Sequence, residues 1–119
     1  MKLVILITAR TEQTLNIAQN WQKVGASGVT ILEGHGLRRL MENIGLRDDL
    51  PLMPSFASLL RKQEITTHVL LSAVIDELAD VLYQTTVDIL GDLTQPDNGF
   101  IFTVDIEKWL GLVTDRREG

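Results

Sequence analysis

The sequence contains no cysteine, which excludes a disulfide framework, a thiol nucleophile and a thiolate metal site. It also contains no basic block, because its net charge is −5 and the charged residues are scattered along the chain. That balance disfavours nucleic acid or an anionic membrane surface as the main partner. No apolar run approaches the ~20 residues that cross a bilayer. We therefore expect a cytoplasmic protein that neither binds nucleic acid nor inserts into a membrane.

Recognisable catalytic motifs are missing as well. No serine stands in a Gly-x-Ser-x-Gly setting, and no glycine-rich phosphate loop is followed by a lysine. The carboxylates are scattered, so no general acid–base pair is singled out. The sequence therefore predicts no catalytic residues and favours a protein that is not an enzyme.

Hydrophobic residues make up 45% of the sequence, enough for the core of one domain over residues 1–119. Apolar runs predict four strands, and apolar stripes at helical spacing predict two helices. In chain order the predicted elements are strand Leu3–Ile7, helix Thr11–Val24, strand Gly28–Glu33, strand Ile65–Val74, helix Asp76–Leu90 and strand Phe100–Ile106. This order predicts an α+β fold, a ferredoxin-like βαββαβ two-layer sandwich with an antiparallel sheet.

Local signals set the expected ends of the helices. Thr11 is expected to cap the first helix, and Gly25 and Gly91 are expected to stop the first and second helices. Trp109, in the C-terminal segment 107–119, is interpreted as a core or interface anchor. The first helix has an apolar stripe that consists of Leu15, Ile17, Ala18, Trp21 and Val24.

A long excursion, residues 37–63, separates the second and third strands. Connections in compact domains usually have about 4–6 residues, and loops beyond roughly 12–15 are commonly functional. We therefore place function in this excursion and treat the rest of the chain as its scaffold. Its apolar residues fall at helical spacing in two groups, Leu37, Leu40, Met41 and Ile44, and then Phe56, Leu59 and Leu60.

The first and third strands are apolar on both faces, although a ferredoxin-like sheet has helices on one face only. In the third strand, one side carries Ile65, Val69 and Leu71, and the other carries Leu70 and Val74. Exposing about six apolar side chains forfeits roughly 10–15 kcal/mol, which rivals the stability of a small domain. The pattern predicts that the sheet packs on other subunits in a closed symmetric oligomer.

Two glycine-containing segments are candidate ligand sites. Gly34-His35-Gly36 follows the second strand, where glycine would let a ligand approach the backbone, or would simply allow a bend. Asp97-Asn98-Gly99 would wrap a ligand with backbone N–H groups, or form an ordinary tight turn.

Titratable and charged residues offer weaker signals. His35 and His68, together with Glu33, lack the spacing of a metal motif, so we expect packing or a satisfied polar contact and no metal site. Arg38-Arg39 and Arg61-Lys62 flank the excursion, where they would either clamp an anion or be solvated.

Three short motifs carry a resemblance to a known family. Gly34-His35-Gly36 precedes the excursion, and the family has Gly-Phe-Gly at the start of its T-loop. Leu70-Leu71-Ser72 precedes the second helix, where the family has Val-Val-Ser. Residues 98–106, Asn-Gly-Phe-Ile-Phe-Thr-Val-Asp-Ile, are similar to its Asp-Gly-Lys-Ile-Phe-Val-Phe-Asp-Val. Over nearly its whole length the chain resembles the PII signal-transduction family, and in particular its divergent PII-like members.

The resemblance implies a non-enzymatic signalling protein that forms a homotrimer. In that family an adenine nucleotide, such as ATP or ADP, or a related effector binds in clefts between subunits. The T-loop, here residues 37–63, then docks on a target enzyme, channel or transporter. Carried over to this chain, the effector site consists of Gly34, His35, Gly36, Arg38, His68, Asn98, Gly99 and Phe100.

The chain departs from the family pattern at the phosphate site. The lysine that contacts phosphate falls at Phe100, the two C-terminal arginines fall near Gly111 and Val113, and the glutamate near the adenine falls at His68. A site without these cations loses charge-assisted hydrogen bonds to phosphate. Replacement charge is available from the excursion, on Arg38, Arg39, Arg61 or Lys62.

Two other functions fit the predicted fold. A small, cofactor-free dimeric enzyme of the oxygenase or isomerase type would have a pocket between the sheet and the helices, near His68 and Trp21. A structural adaptor would bind no ligand, and oligomer contacts alone would order its excursion.

Overall fold

The structure, a computed structural model, describes residues 1–38, 41 and 66–112. The elements are strand β1 (Lys2–Thr8), a 3-10 turn (Thr11–Gln13), helix α1 (Thr14–Lys23), strand β2 (Thr30–His35), strand β3 (Thr66–Val74), helix α2 (Asp76–Leu90) and strand β4 (Phe100–Asp105). Every strand pair is antiparallel, and the order across the sheet is β2-β3-β1-β4. The predicted α+β ferredoxin-like βαββαβ fold is therefore confirmed.

The core lies between one face of the sheet and the two helices. Trp21 of α1 is fully buried, and its indole Nε1 donates a hydrogen bond to Thr86 Oγ1 at 3.0 Å. The Thr86 hydroxyl donates in turn to the carbonyl of Leu82 at 2.7 Å, so both polar groups are satisfied without water. The other buried apolar residues are Val4, Leu6, Ile17, Ala18, Ala26, Leu70, Val74, Ala79, Leu82 and Leu90.

The start of α1 differs from the prediction. Thr11 begins the 3-10 turn, and α1 begins only at Thr14, whose preceding residue Gln13 makes no side-chain cap. The buried stripe of α1 consists of Thr14, Ile17, Ala18 and Trp21, at i, i+3, i+4 and i+7. Leu15 and Val24, which were expected in this stripe, are exposed.

Both predicted helix stops are confirmed. Gly91 ends α2 with φ of +83°, and its N–H donates to the Val87 carbonyl at 2.8 Å. Gly25 follows α1 and also has positive φ. Helix α2 therefore has its predicted bounds, Asp76–Leu90.

The opposite face of the sheet, here called the outer face, is apolar as predicted. Side chains alternate along a strand, so the odd-numbered residues of β1 point away from the helices that pack on Val4 and Leu6. Ile5 pairs with Leu71 on one side and with Phe102 on the other. The outer face consists of Leu3, Ile5, Ile7, Leu32, Val69, Leu71, Phe100, Phe102 and Val104.

Strand β2 begins two residues later than predicted and continues two residues further. The Gly28 carbonyl accepts a hydrogen bond from Ser72 Oγ at 2.6 Å, and the strand starts at Thr30. Gly34 and His35 therefore lie inside the strand, paired with Thr67 and Thr66. The interpretation of Gly34-His35-Gly36 as a bend at the end of the strand is wrong for the first two residues.

The ends of the described segments carry several exposed apolar side chains. Leu37 and Met41 have helical backbone, consistent with the predicted spacing, and both are exposed. The other predicted apolar residues of the excursion lie outside the described residues. Trp109 is half-exposed and Leu110 fully exposed, so Trp109 does not anchor the core of this chain. Across residues 1–38, 41 and 66–112, no helix is long and apolar enough to cross a membrane.

Candidate functional site at one end of the sheet

The predicted site residues gather at one end of the sheet. At this end β1 and β2 finish and β3 and β4 begin, because neighbouring strands are antiparallel. Gly34 pairs with Thr67, and His68 pairs with Thr8. Phe100 pairs with Ile7, which places Asn98 and Gly99 just beyond the same end.

Within one chain these residues form two separate walls. Gly34 and His35 lie on β2 at one edge of the sheet, and Phe100 opens β4 at the other edge. Two strands lie between them, so the two walls are three strand spacings, or roughly 14 Å, apart. We call them the glycine wall (residues 34–36) and the loop wall (residues 98–100).

A network of hydrogen bonds holds the loop wall against the end of β1. Thr8 Oγ1 donates to the Asn98 carbonyl at 2.7 Å and accepts from the Arg10 N–H at 2.9 Å. Arg10 Nη1 donates to Asn98 Oδ1 at 3.1 Å, and Asn98 Nδ2 donates to the Asp92 carbonyl at 2.7 Å. Both the backbone and the side chain of Asn98 are therefore held in place.

The turn that leads into the loop wall is organised by Asp92. Its carboxylate accepts hydrogen bonds from the Thr94 hydroxyl at 2.7 Å, the Thr94 N–H at 2.9 Å and Gln95 Nε2. The bond from the Thr94 hydroxyl, reinforced by the other two, lowers the pKa of Asp92 below its usual value. At pH values above this lowered pKa, the carboxylate of Asp92 is ionised and stabilises the turn.

Gly99 is required by the chain's own packing. Its φ is +150°, and a Cβ at this position would lie 3.1 Å from the Ile7 carbonyl oxygen and 3.3 Å from Leu6 Cδ1. A side chain would meet both the backbone of β1 and a strained φ. This explains the glycine of the loop wall without any ligand.

Gly99→Ala is expected to destabilise the protein by about 1–3 kcal/mol because of this strain. The measurement is the midpoint of urea-induced unfolding, followed by circular dichroism. Gly28→Ala is the matched control, since Gly28 has no positive φ and no atom within 4 Å of its added Cβ. Equal midpoints for the two variants would contradict the packing role of Gly99.

The two glycines of the glycine wall, unlike Gly99, have room for a Cβ atom. A Cβ on Gly34 would lie 3.5 Å from Thr67 Oγ1, and one on Gly36 would lie 4.0 Å from Thr67 Cγ2, which are ordinary contacts. Neither residue has positive φ. The packing of the described chain therefore does not require these glycines, which favours the close approach of something outside it.

His68 is held by a polar contact, as the simpler interpretation predicted. Its Nδ1 lies 2.6 Å from the hydroxyl of buried Thr14, and its Nε2 lies 3.9 Å from Glu33 Oε2. It lines a cavity of about 270 Å³ between the sheet and the helix layer, together with Thr11, Glu12, Glu33 and Thr66. Among the described residues, no group of three histidine or acidic side chains is arranged to hold a metal ion.

The remaining predicted ligand-binding residues lie at the two edges of the sheet. His35 and Arg38 are exposed where β2 passes into the excursion. Phe100 is also exposed, and its ring centroid lies 5.1 Å from that of Phe102 on the outer face. Trp21 is fully buried and is not among the described residues that line the cavity beside His68.

Arg10 is a residue that the sequence interpretation missed. Its Nε donates to Glu12 Oε2 at 2.6 Å, and this bond is the main cause of the lowered pKa of Glu12. Its contact with Asn98 joins residues 88 positions apart. Only its place two residues after an apolar strand hints at a position on the sheet end.

The fold and the strand order define a class: ferredoxin-like proteins whose sheet has helices on one face and an apolar outer face. No protein-family model and no curated protein matches the sequence. Many solved structures are similar in fold, including the following two. One is a PII-like signalling protein from Thermus thermophilus, with a TM-score of 0.53 and 14% identity over 87% of this chain and 82% of that one.

The other is the GlnK–ATP complex of B. subtilis, with a TM-score of 0.55 and 18% identity over 88% of this chain and 80% of that one. At these identities the likeness establishes the fold. The chain thus has the fold of the PII-like signalling proteins, and the resemblance seen in its motifs is confirmed at that level.

Proposed function

We propose that the protein is a non-enzymatic PII-like regulator. It forms a homotrimer, binds a small effector in the clefts between subunits, and regulates a partner enzyme or transporter through residues 37–63. The effector proposed is an adenine nucleotide, ATP or ADP. The cytoplasm is the expected location, which the cysteine-free sequence supports.

The observation that carries the proposal is the separation of the two walls. The glycine wall and the loop wall lie at the same end of the sheet but on opposite edges, so one chain alone does not form a cleft between them. Closing several copies around the outer face would bring the β4 edge of one chain near the β2 edge of the next. The unexplained glycines, Gly34 and Gly36, would then face the loop wall of a neighbour.

Similar structures support the same reading. Both are signalling proteins, and the GlnK structure is an ATP complex. The rival enzyme is less well supported, because Trp21 does not line the His68 cavity, which is lined by Glu12 and Glu33 among the described residues. A ligand-free adaptor remains the alternative that the binding experiment excludes.

Effector binding is expected to change the protease sensitivity of the excursion. An effector shifts a loop only as far as it prefers one loop state over another, so a true effector must alter cleavage there. The experiment is limited trypsin digestion with and without ATP or ADP, read by mass spectrometry at Arg38, Arg47 and Arg61. Cleavage after Lys108 is the internal control for trypsin activity.

The proposed function predicts at least a several-fold change in cleavage within residues 37–63 at saturating nucleotide, with the Lys108 site unchanged. Melting temperature should rise in parallel, since a ligand of the native state stabilises it. Unchanged cleavage and an unchanged melting temperature with both nucleotides would contradict nucleotide regulation and favour the adaptor.

A further inference from the structure

A guanidinium that lies against the loop wall, that of Arg10, uses only some of its hydrogen-bond donors. Arg10 makes one hydrogen bond from Nε to Glu12 and one from Nη1 to Asn98. A guanidinium has five N–H donors, so three of them make no bond to a described residue. The side chain is 37% exposed, and its neighbour Glu12 is 60% exposed, so solvent and solutes reach the pair.

Other described cations lie elsewhere on the molecule. Lys2 is paired with Asp105 at the far end of the sheet. Lys23 lies in the last turn of α1, and Arg38 lies beyond β2 on the opposite edge. Lys108 follows the end of β4, whose last residue Asp105 pairs with Lys2 at the far end of the sheet. Of the cations that the structure describes, Arg10 is therefore the one bonded to Asn98.

We propose that Arg10 is the phosphate-binding residue of the loop wall and that Glu12 competes with the phosphate for it. The inference rests on the proposed effector site and adds to it a specific cation, a specific competitor and a requirement for an anionic ligand.

The geometry supports this role in two ways. The guanidinium is positioned, because Asn98 accepts from Nη1 while Asn98 itself is fixed by Thr8 and Asp92. A planar guanidinium held in this manner offers paired N–H groups to two phosphate oxygens, which a flexible ammonium does not. The exposed Arg10–Glu12 ion pair contributes little to folding, so a phosphate group can displace the carboxylate at small cost.

The charge at this end also selects where the anion binds. The cavity beside His68 has Glu12 and Glu33 in its lining, which would repel a polyphosphate. Arg10 is bonded to Glu12 through Nε, and its Nη1 extends towards Asn98, on the β4 side of the sheet end, whereas Glu33 lies on β2 at the opposite edge. A phosphate chain is therefore favoured at the loop wall and disfavoured in the cavity within the chain.

The test measures Kd by isothermal titration calorimetry with ATP, adenosine and inorganic tripolyphosphate. Arg10→Gln is expected to weaken ATP and tripolyphosphate binding by roughly 10- to 100-fold, the effect of charge-assisted hydrogen bonds, and to leave adenosine binding unchanged. Glu12→Gln is expected to strengthen ATP binding a few-fold by removing the competitor. Lys23→Gln makes the same change of charge at the far end of α1 and should have no effect.

Arg10→Lys tests whether the effect of Arg10→Gln on ATP binding is purely structural. It retains the charge but not the planar fork, so its ATP affinity is expected between those of the wild type and Arg10→Gln, with adenosine binding again unchanged. Melting temperatures and circular dichroism confirm that the variants are folded at the titration temperature. A loss of adenosine binding equal to the loss of ATP binding would assign Arg10 to loop structure and overturn the inference.

The outcomes separate this inference from the proposed function. If the wild type binds ATP and Arg10→Gln binds it equally well, the Arg10 role is overturned and the nucleotide regulator stands. If tripolyphosphate binds in an Arg10-dependent manner but ATP does not bind, the Arg10 role stands and the nucleotide effector is wrong. If the wild type binds neither anion, both are overturned. Weaker ATP binding by Glu12→Gln would overturn the competition by Glu12.

Discussion

Ile5→Lys is expected to convert the proposed trimer into monomers. Ile5 is in the middle of the outer face, between Leu71 and Phe102 on the neighbouring strands. Covering six such half-exposed side chains would contribute roughly 5–10 kcal/mol to assembly. An unpaired ammonium at the centre of that contact costs several kcal/mol and removes most of this gain. In an isolated monomer, by contrast, the lysine would point into water.

Sedimentation velocity at micromolar concentration is the measurement for this variant. The wild type is expected to sediment at three times the chain mass of 13.3 kDa, and Ile5→Lys at 13.3 kDa with unchanged far-ultraviolet circular dichroism. Val87→Lys is the matched control, because Val87 is also exposed and apolar but lies on α2 in the helix layer. A trimeric Ile5→Lys protein would contradict assembly through the outer face.

Trp21→Ala is expected to lower the free energy of unfolding by about 3–5 kcal/mol, a large part of the stability of a domain of this size. Trp21 is the largest fully buried side chain, and its removal leaves a cavity between α1 and α2. It also removes the indole donor from Thr86 Oγ1. The threonine still donates to the Leu82 carbonyl, so the loss comes mainly from the cavity.

The effect of Trp21→Ala is measured by urea unfolding at a fixed protein concentration, since oligomer stability depends on concentration. Leu15→Ala is the control on the same helix, and it should change stability by no more than ~0.5 kcal/mol because Leu15 is 64% exposed. A small effect of Trp21→Ala, comparable to that of Leu15→Ala, would show that the helix layer is not packed as described.

The signals that predicted this fold are local ones that agree with the tertiary packing. The predicted bounds of helix α2 match the observed ones because Leu78, Leu82 and Ile89 form an apolar stripe at helical spacing and Gly91 ends the helix. The predicted start of strand β2, at Gly28, is two residues too early. The Gly28 carbonyl accepts a hydrogen bond from the hydroxyl of Ser72, 44 residues away, and this contact exists only in the folded chain. The predicted cap at Thr11 is wrong because a 3-10 turn before a helix leaves no clear mark in the sequence.

The candidate site was only partly predictable for the same physical reason. Gly99 could be chosen from a turn motif, but the contact with the Ile7 carbonyl that requires it depends on the pairing of β1 with β4. The Arg10–Asn98 bond joins two loops that only the sheet brings together. A short motif predicts the local backbone conformation. It does not predict which charged side chain from a distant part of the chain will lie beside it in the fold.

The connection between effector and loop has a simple physical basis in this account. Strand β2 carries Gly34 and His35 and leads directly into residues 37–63. An effector that contacts the glycine wall would therefore act on the first residues of the excursion, including the exposed Leu37 and Met41. In the proposed regulator, those apolar side chains would contact the target protein in one loop state and would be withdrawn from it in the other.

The measurement that tests the central claim most directly is nucleotide binding by the trimer and by the Ile5→Lys monomer. Ile5 is not part of either wall, so every residue of the proposed site is retained in the variant. In sedimentation velocity with a fluorescent ATP analogue, the account predicts that nucleotide sediments only with the species of three chains. Equal nucleotide affinity in the 13.3 kDa monomer, or a wild type that sediments as a monomer, would contradict a site formed between subunits.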